Sequence, residues 1–262
     1  MIVIKYGGHA LPTPETDDPI LRVIADFHNA GNHVVLVHGG GPQIDSELAI
    51  HGIEGKMIGG YRATTPAIFN VVQKVLSGEV LRTLVNKLIS YGVDCVGISS
   101  GDGSTIRSIK MKPVIQGIPT DMGLVGDIES TQPKLLMMLV QNGYLPVVSP
   151  VSVTSLGEGL NLNADIAAGA IGGALKADAV IFMTDVAGIY RNYPDPTSII
   201  TEISAIELKE LQPSFAQGMV PKVAAALSAL AAGAKSVRII DGRDGANLSA
   251  ALKGVGGTVV FP

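Results

Sequence analysis

The 262-residue chain predicts an α/β fold, a mainly parallel sheet covered on both faces by helices. Three observations predict it. Short apolar runs alternate with longer segments of helical period. Glycine clusters stand directly after the first two such runs, at Gly7-Gly8 and Gly39-Gly40-Gly41. Hydrophobic residues make up 47% of the chain and charged ones 16%, enough for a sizeable core and incompatible with intrinsic disorder. At about 150 residues per domain, the length allows one large or two small domains.

Each element has a local reason. Ile2 to Tyr6 reads as a buried strand ended by Gly7-Gly8. Asp18 as N-cap and Pro19 at the first helical position open a helix whose apolar face is Ile20, Val23, Ile24 and Phe27, and Gly31 ends it. His33 to Val37 is the second strand, and Pro42 opens a helix after the three glycines. Leu81 to Tyr91 is helical, Gly92 stops it, and Val93 to Ser99 is a strand. Ser104 to Gly126 alternates in polarity and carries Lys, Arg and Pro, the pattern of a β-hairpin insertion. Leu135 to Gln141 is a helix ended by Gly143, and Tyr144 to Val151 a strand. The stretch Leu156 to Asn161 is the best boundary between two halves. Beyond it come a small-residue helix (Ala164 to Leu175), a strand (Ala179 to Met183), a turn (Thr184 to Gly188), an Ala-rich helix (Pro221 to Ala232, stopped by Gly233) and two strands (Val237 to Ile240, Thr258 to Val260). Right-handed βαβ units follow from this alternation.

Several function classes are excluded. A net charge of −4 and a pI near 5.7 do not make a nucleic-acid footprint. The single cysteine, Cys95, allows no disulfide framework and no cysteine zinc site, and its apolar strand makes it a core residue. No apolar run reaches membrane-spanning length, and Met1 to Gly7 is a strand rather than a secretory signal, so the expected compartment is the cytoplasm. His9, His28, His33, His38 and His51 have no metal-site spacing. The P-loop, the dinucleotide glycine pattern and the serine-hydrolase elbow are all absent.

The glycine clusters are then the leading candidates for anion binding, because ligands of open α/β sheets lie beyond the carboxyl ends of the strands. Lys5 sits inside an apolar strand, either on an edge facing solvent or against an anion. Lys222 opens the Ala-rich helix, where a cation opposes the helix dipole, so it is either a solvated surface lysine or faces a polyanion. Asn161, Asn163 and Asp165 cluster ahead of the small-residue helix. Asp165 either caps that helix or holds two lysine ammoniums across a cleft.

Six motifs in order carry a resemblance. They are Lys5-Tyr6-Gly7-Gly8, His38-Gly39-Gly40-Gly41, Gly60-Tyr61-Arg62-Ala63-Thr64, Asn161-Leu162-Asn163-Ala164-Asp165, Thr184-Asp185-Val186-Ala187-Gly188 and Gly218-Met219-Val220-Pro221-Lys222. Together they resemble the amino acid kinase family over essentially the whole chain, and within it the kinases of N-acetylglutamate. The resemblance implies an open three-layer α/β/α sandwich of two lobes. Residues 1–160 would hold the acetylated amino acid and a dimer contact, and 161–262 the ATP. It implies transfer of the ATP γ-phosphoryl group to the γ-carboxylate of N-acetyl-L-glutamate, in arginine biosynthesis, with Mg2+ bound through the nucleotide phosphates. A carboxylate is already ionised at neutral pH, so this chemistry asks for positive charge and positioning rather than a general base. By resemblance Lys5 and Lys222 stabilise the transferred and leaving groups and Asp165 orients both. Gly7 and Gly8 contact phosphate. Gly40, Gly41, Arg62 and Asn161 bind the amino acid, with Arg62 clamping its α-carboxylate and Asn161 its acetylamino group. Thr184, Asp185, Gly188 and Met219 line the nucleotide pocket.

Two positions depart from the family pattern: His9 replaces a small residue or Asn, and Thr65-Pro66 follows Arg62-Ala63-Thr64 where Asp is common. Because strand one begins the chain, the resemblance implies a homodimer insensitive to arginine. A kinase for a carrier-linked aminoadipate or glutamate is the competing enzyme reading. It calls for a basic rim, here limited to Lys56, Arg107, Lys110 and Lys112. A non-catalytic ligand sensor is the third reading; intact Lys5, Asp165 and Lys222 argue against it.

Overall fold

A computed structural model describes residues 1–7, 17–115, 118–212, 215 and 219–262, so Gly8, His9 and Gly218 lie outside the described residues. The chain begins with β1 (Ile2–Tyr6), α1 (Pro19–Asn29), β2 (Val34–His38) and α2 (Gly41–Ile50). A hairpin of β3 (Lys56–Ile58) and β4 (Tyr61–Ala63) leads into α3 (Pro66–Gln73), a π-helical turn over Lys74–Val80, and α4 (Leu81–Ser90). Then come β5 (Cys95–Ser99), β6 (Ile106–Lys110), β7 (Val114–Ile115), β8 (Ile118–Pro119), β9 (Gly126–Thr131), α5 (Lys134–Gln141), β10 (Leu145–Ser149), β11 (Val151–Val153) and β12 (Gly159–Asn161). The last part holds α6 (Ala164–Ala174), β13 (Ala179–Thr184), β14 (Ile189–Tyr190), β15 (Ile199–Ile200), β16 (Glu202–Ser204), α7 (Ala205–Leu211), α8 (Val220–Ala231), β17 (Val237–Asp241), α9 (Gly245–Leu252) and β18 (Thr258–Phe261).

Eight strands form the central sheet in the order β16-β18-β17-β13-β1-β2-β10-β5. All neighbours pair in parallel except β17 with β18. The expected mainly parallel sheet is therefore present, and β1 lies in its middle rather than on an edge. Both faces are buried. Ile4, Leu36, Val147 and Ile181 pack with residues of α1, α3 and α4, whereas Val3, Val35, Val148 and Phe182 pack with residues of α5, α6 and α8. Side chains alternate along a strand, so Lys5 shares the face of Val3, while Tyr6 shares that of Ile4.

The expected hairpin insertion is there: β6 pairs antiparallel with β9, and β7 with β8 between them. Tyr144 to Val151 is not one strand, however. Leu145–Ser149 stays in the central sheet, while Val151–Val153 joins a four-stranded sheet of order β12-β11-β6-β9. Pro150, which lacks an N–H for the ladder, stands at the change of sheet. The helix expected from Leu81 continues upstream through the π turn to Pro66. Thr65 caps α3, accepting from the Ile68 N–H at 3.3 Å, with Pro66 at its first turn. That departure from the family pattern thus has a structural job. Within the π turn, Ser77 Oγ bonds both Ser99 Oγ and Ser149 Oγ at 2.9 Å, fastening the helix to the carboxyl ends of β5 and β10. Two further helices have caps: α7 carries a Ser204–Glu207 capping box, and Asp244 caps α9.

Candidate active site

Helices α6 and α8 pack very closely because their facing residues are small. A Cβ on Gly169 would stand 2.9 Å from the Ala225 carbonyl oxygen. Asp165 lies in the first turn of α6 and Lys222 in that of α8, so the close packing brings them together. Lys5 reaches the same point from β1. Its Nζ lies 2.9 Å from Asp165 Oδ1, and Lys222 Nζ lies 3.4 Å from Oδ2. Lys5 and Asp165 are 9% and 5% exposed. Burial alone would push the Asp165 carboxyl up, but the Lys5 and Lys222 ammoniums together hold it below the usual carboxylate range. Of the two roles open for Asp165, bridging is the one observed. The cap of α6 is Asn163, whose Oδ1 accepts from the Asp165 and Ile166 N–H groups at 2.8 and 3.3 Å. Two ammoniums and one carboxylate leave this buried triad with one net positive charge, an arrangement that favours a further anion.

One glycine borders the triad. Gly7 follows β1 within reach of Lys5, a Cβ built on it lying 3.9 Å from Nζ. Gly40 and Gly41 start α2, and no side chain caps that helix. A Cβ on Gly40 would lie 2.5 Å from Leu76 Cδ2, so the π turn packs directly against this glycine, while Gly41 faces open space. His38 ends β2 in register with Tyr6 and is fully buried. Its Nδ1–H donates to the Gly39 carbonyl at 2.8 Å, and burial pushes the imidazole down to about 4, so it is neutral. Tyr6 Oη donates to Asp18 at 2.6 Å, and Asp18 also caps α1, accepting from the Ile20 N–H at 2.8 Å; this ties the end of β1 to the start of α1.

A second group lies around the β3–β4 hairpin. Arg62 Nη1 donates to the Asp45 carboxylate, and Nη2 to the Gly41 carbonyl at 3.4 Å. Asn161 Nδ2 donates to Thr64 Oγ1 at 3.1 Å, and that hydroxyl donates to the Arg62 carbonyl at 2.7 Å. Backbone bonds from Leu124 to Thr64 (2.7 Å) and from Asn161 to Leu124 (2.9 Å) hold the two segments side by side. Arg62 is thus linked to Gly41 directly and to Asn161 through Thr64. Thr64, quoted in the sequence motif without a role, belongs to the same group, as do Asp45 and Gly55, for which the sequence suggested no role. A cavity of about 670 Å³ opens beside it, with Pro66, Gly123, Leu124, Lys110 and Glu158 in its wall.

The third set follows β13. Thr184 Oγ1 donates within its own neighbourhood, to the Val186 carbonyl (2.8 Å) and the Ile240 carbonyl (3.1 Å). Asp185 is exposed next to it. Gly188 is a close-packing position, since its Cβ would stand 2.6 Å from Thr258 Oγ1. Met219 stands at the N-cap position of α8, without a side-chain cap bond, and packs partly against the core. Cys95, expected in the core, is half-buried against it; its Sγ donates to the Val85 carbonyl at 3.5 Å, and burial pushes the thiol up to about 11.

This lysine–aspartate–lysine geometry can be set beside known proteins. The sequence model described as the amino acid kinase family matches residues 1–241. The chain belongs to the amino acid kinase family. It is 40% identical over 248 residues to the acetylglutamate kinase of Arthrobacter sp. (strain FB24), covering 92% of this chain and 80% of that one. It is 41% identical over 247 residues to the acetylglutamate kinase of Mycolicibacterium smegmatis, covering 93% and 83%. Among solved structures, smu.665 from Streptococcus mutans UA159 superposes with a TM-score of 0.81 at 28% identity, covering 99% of this chain and 98% of that one. N-acetylglutamate synthase from Neisseria gonorrhoeae superposes at 0.83 with 24% identity, covering all of this chain but 59% of its own; this likeness speaks for the fold. No described helix is long and apolar enough to cross a membrane.

Proposed function

We propose that this amino acid kinase transfers the γ-phosphoryl group of ATP to the γ-carboxylate of N-acetyl-L-glutamate, giving N-acetyl-glutamyl phosphate and ADP in arginine biosynthesis. The single observation that carries the reading is the Asp165 carboxylate held between Lys5 and Lys222. A carboxylate oxygen attacks the γ-phosphorus while the bond to the ADP oxygen breaks, and no proton moves. Anion meets anion, so the protein must supply positive charge along the line of transfer. Lys5, on β1 beside Gly7, serves the transferred phosphoryl group, and Gly7 and Gly8 are the proposed phosphate contacts. Lys222, on the α8 side, serves the leaving ADP, and Asp165 fixes the spacing of both. Arg62 with Gly40, Gly41 and Asn161 takes the acetylated amino acid.

The nucleotide lies beyond β13, near Thr184, Asp185, Gly188 and Met219. Residues 1–160 would then carry the amino acid and a contact with a second copy in a homodimer, and 161–262 the ATP. The ATP-rich cytoplasm is the proposed compartment. Mg2+ would be held through the nucleotide phosphates, where it would neutralise phosphate charge. For a carrier-linked substrate the basic rim is smaller than its sequence suggests, because Lys110 Nζ is paired with Glu158 at 2.8 Å.

The deciding assay measures ADP release with MgATP and N-acetyl-L-glutamate, with hydroxylamine to trap the acyl phosphate as a hydroxamate. Glutamate and N-acetyl-2-aminoadipate run beside it. Turnover confined to N-acetyl-L-glutamate is expected; equal turnover with the longer homologue, or none with any, overturns the assignment.

A further inference from the structure

Asp45 has no place among the residues so far given a role, yet it takes the hydrogen bond of the one arginine at the amino acid end of the site. The Arg62 side chain is 9% exposed and that of Asp45 is 62% exposed. Asp45 sits on α2, one turn after Gly41, and Arg62 on β4, so the contact joins two elements across 17 residues. The second bond of the guanidinium, to the Gly41 carbonyl, points along the same helix. Gly55 packs against the same nitrogen: a Cβ there would stand 2.7 Å from Arg62 Nη1 and 3.7 Å from Asp45 Oδ1. Arg62 is thus held at two nitrogens before any substrate arrives, with backbone packed against it.

We propose that Asp45 is a positioning residue that acts through Arg62. It holds one edge of the guanidinium so that the remaining N–H donors face the pocket as a preformed fork for an α-carboxylate. Arginine loses much side-chain entropy when it is fixed, and an arginine fixed beforehand spends none of the ligand's binding free energy on that step. The opposite role, a plug on Arg62 that the substrate must displace, is separated from the fork by the test below. The buried, two-bonded guanidinium favours the fork, because Asp45 occupies Nη1 and leaves Nε uncommitted among the described residues.

The inference rests on the kinase reading above, and its test has an arm that does not. In steady-state kinetics, Asp45→Ala should raise KM for N-acetyl-L-glutamate about tenfold, with kcat and KM for ATP little changed. Asp45→Asn keeps an acceptor and should recover most of the loss. In an Arg62→Ala background, Asp45→Ala should add nothing, which a merely structural role would not produce. A lowered KM in Asp45→Ala identifies a plug and overturns the proposal, as does an additive double variant. The independent arm is 15N relaxation of the Arg62 Nε–H in the protein without substrate. It should report an ordered side chain in the wild type and a mobile one in Asp45→Ala; equal mobility in both overturns the proposal. A wild-type chain silent toward N-acetyl-L-glutamate removes the kinase assignment and leaves that arm in force.

Discussion

The two ends of the site are built differently. Lys5, Asp165 and Lys222 stand on β1, α6 and α8, elements whose neighbours are fixed by sheet register and by glycine–alanine contact. Arg62 stands on a hairpin of two three-residue strands, fastened by side chains and by backbone bonds between Thr64 and the segment Met122–Leu124. On the proposed assignment, the reacting charges sit where the fold allows least adjustment, and recognition sits where small shifts are tolerated. The comparison teaches that damage at the first end should appear in kcat, and at the second in KM.

The largest effect is expected at the centre. On the proposed mechanism, Lys222→Ala removes one of two ammoniums from the line of transfer, and kcat should fall about a thousandfold or more, as when a preorganised charge partner is lost. KM for N-acetyl-L-glutamate should stay within a few fold of wild type. Steady-state kinetics of purified, folded variant checks this. Near-normal turnover would remove Lys222 from the chemistry and break the contrast at its stronger side.

Next in size is a stability effect between the two ends. His38 is neutral in the fold with its imidazole pushed down to about 4, against 6.5 when unfolded. The unfolded chain therefore binds more protons between those values, and stability must fall as pH drops from about 6.5 toward 4. The full difference is about 3 kcal/mol. Denaturant unfolding at a series of pH values should show this slope in the wild type. His38→Gln should flatten it; an unchanged slope would assign the acid sensitivity to other groups.

The sequence made the centre legible and left much of the clamp hidden, for a physical reason. A lysine inside an apolar strand, an aspartate ahead of a helix of Ala and Gly, and a lysine at a helix start are each anomalous alone, and anomalies show in sequence. Arg62 was legible only through its family motif. Its partner Asp45 is an ordinary exposed helix residue, and nothing 17 positions away marks it. Strands of three residues show no period, so the β3–β4 hairpin left no signal. The break at Pro150 was masked by apolar residues on both sides. In contrast, Thr65-Pro66 and the Ser204–Glu207 box were readable helix starts that apolar periodicity alone passed over. The edge-strand alternative for Lys5 failed because strand order is a tertiary property: β1 pairs with both β13 and β2.

At the clamp, Arg62→Lys keeps the charge and loses the planar fork. KM for N-acetyl-L-glutamate should rise about tenfold while kcat changes less. An unchanged KM would move the α-carboxylate to another group and leave the hairpin a purely structural element.

The smallest effect sharpens the comparison most. Gly55→Ala adds one methyl 2.7 Å from Arg62 Nη1 and 3.3 Å from Leu48 Cδ1. Arg62 ends a flexible side chain and can give way, so folding should be nearly unaffected, while the guanidinium moves off its place against Asp45. KM for N-acetyl-L-glutamate should then rise about threefold with kcat and KM for ATP unchanged, as expected for loss of binding shared by ground and transition states. If the same methyl instead lowered kcat without touching KM, the hairpin would be coupled to the lysine centre. The two ends would then form one unit, in which a displacement of Arg62 is felt at the transferred phosphoryl group through Gly41 and α2.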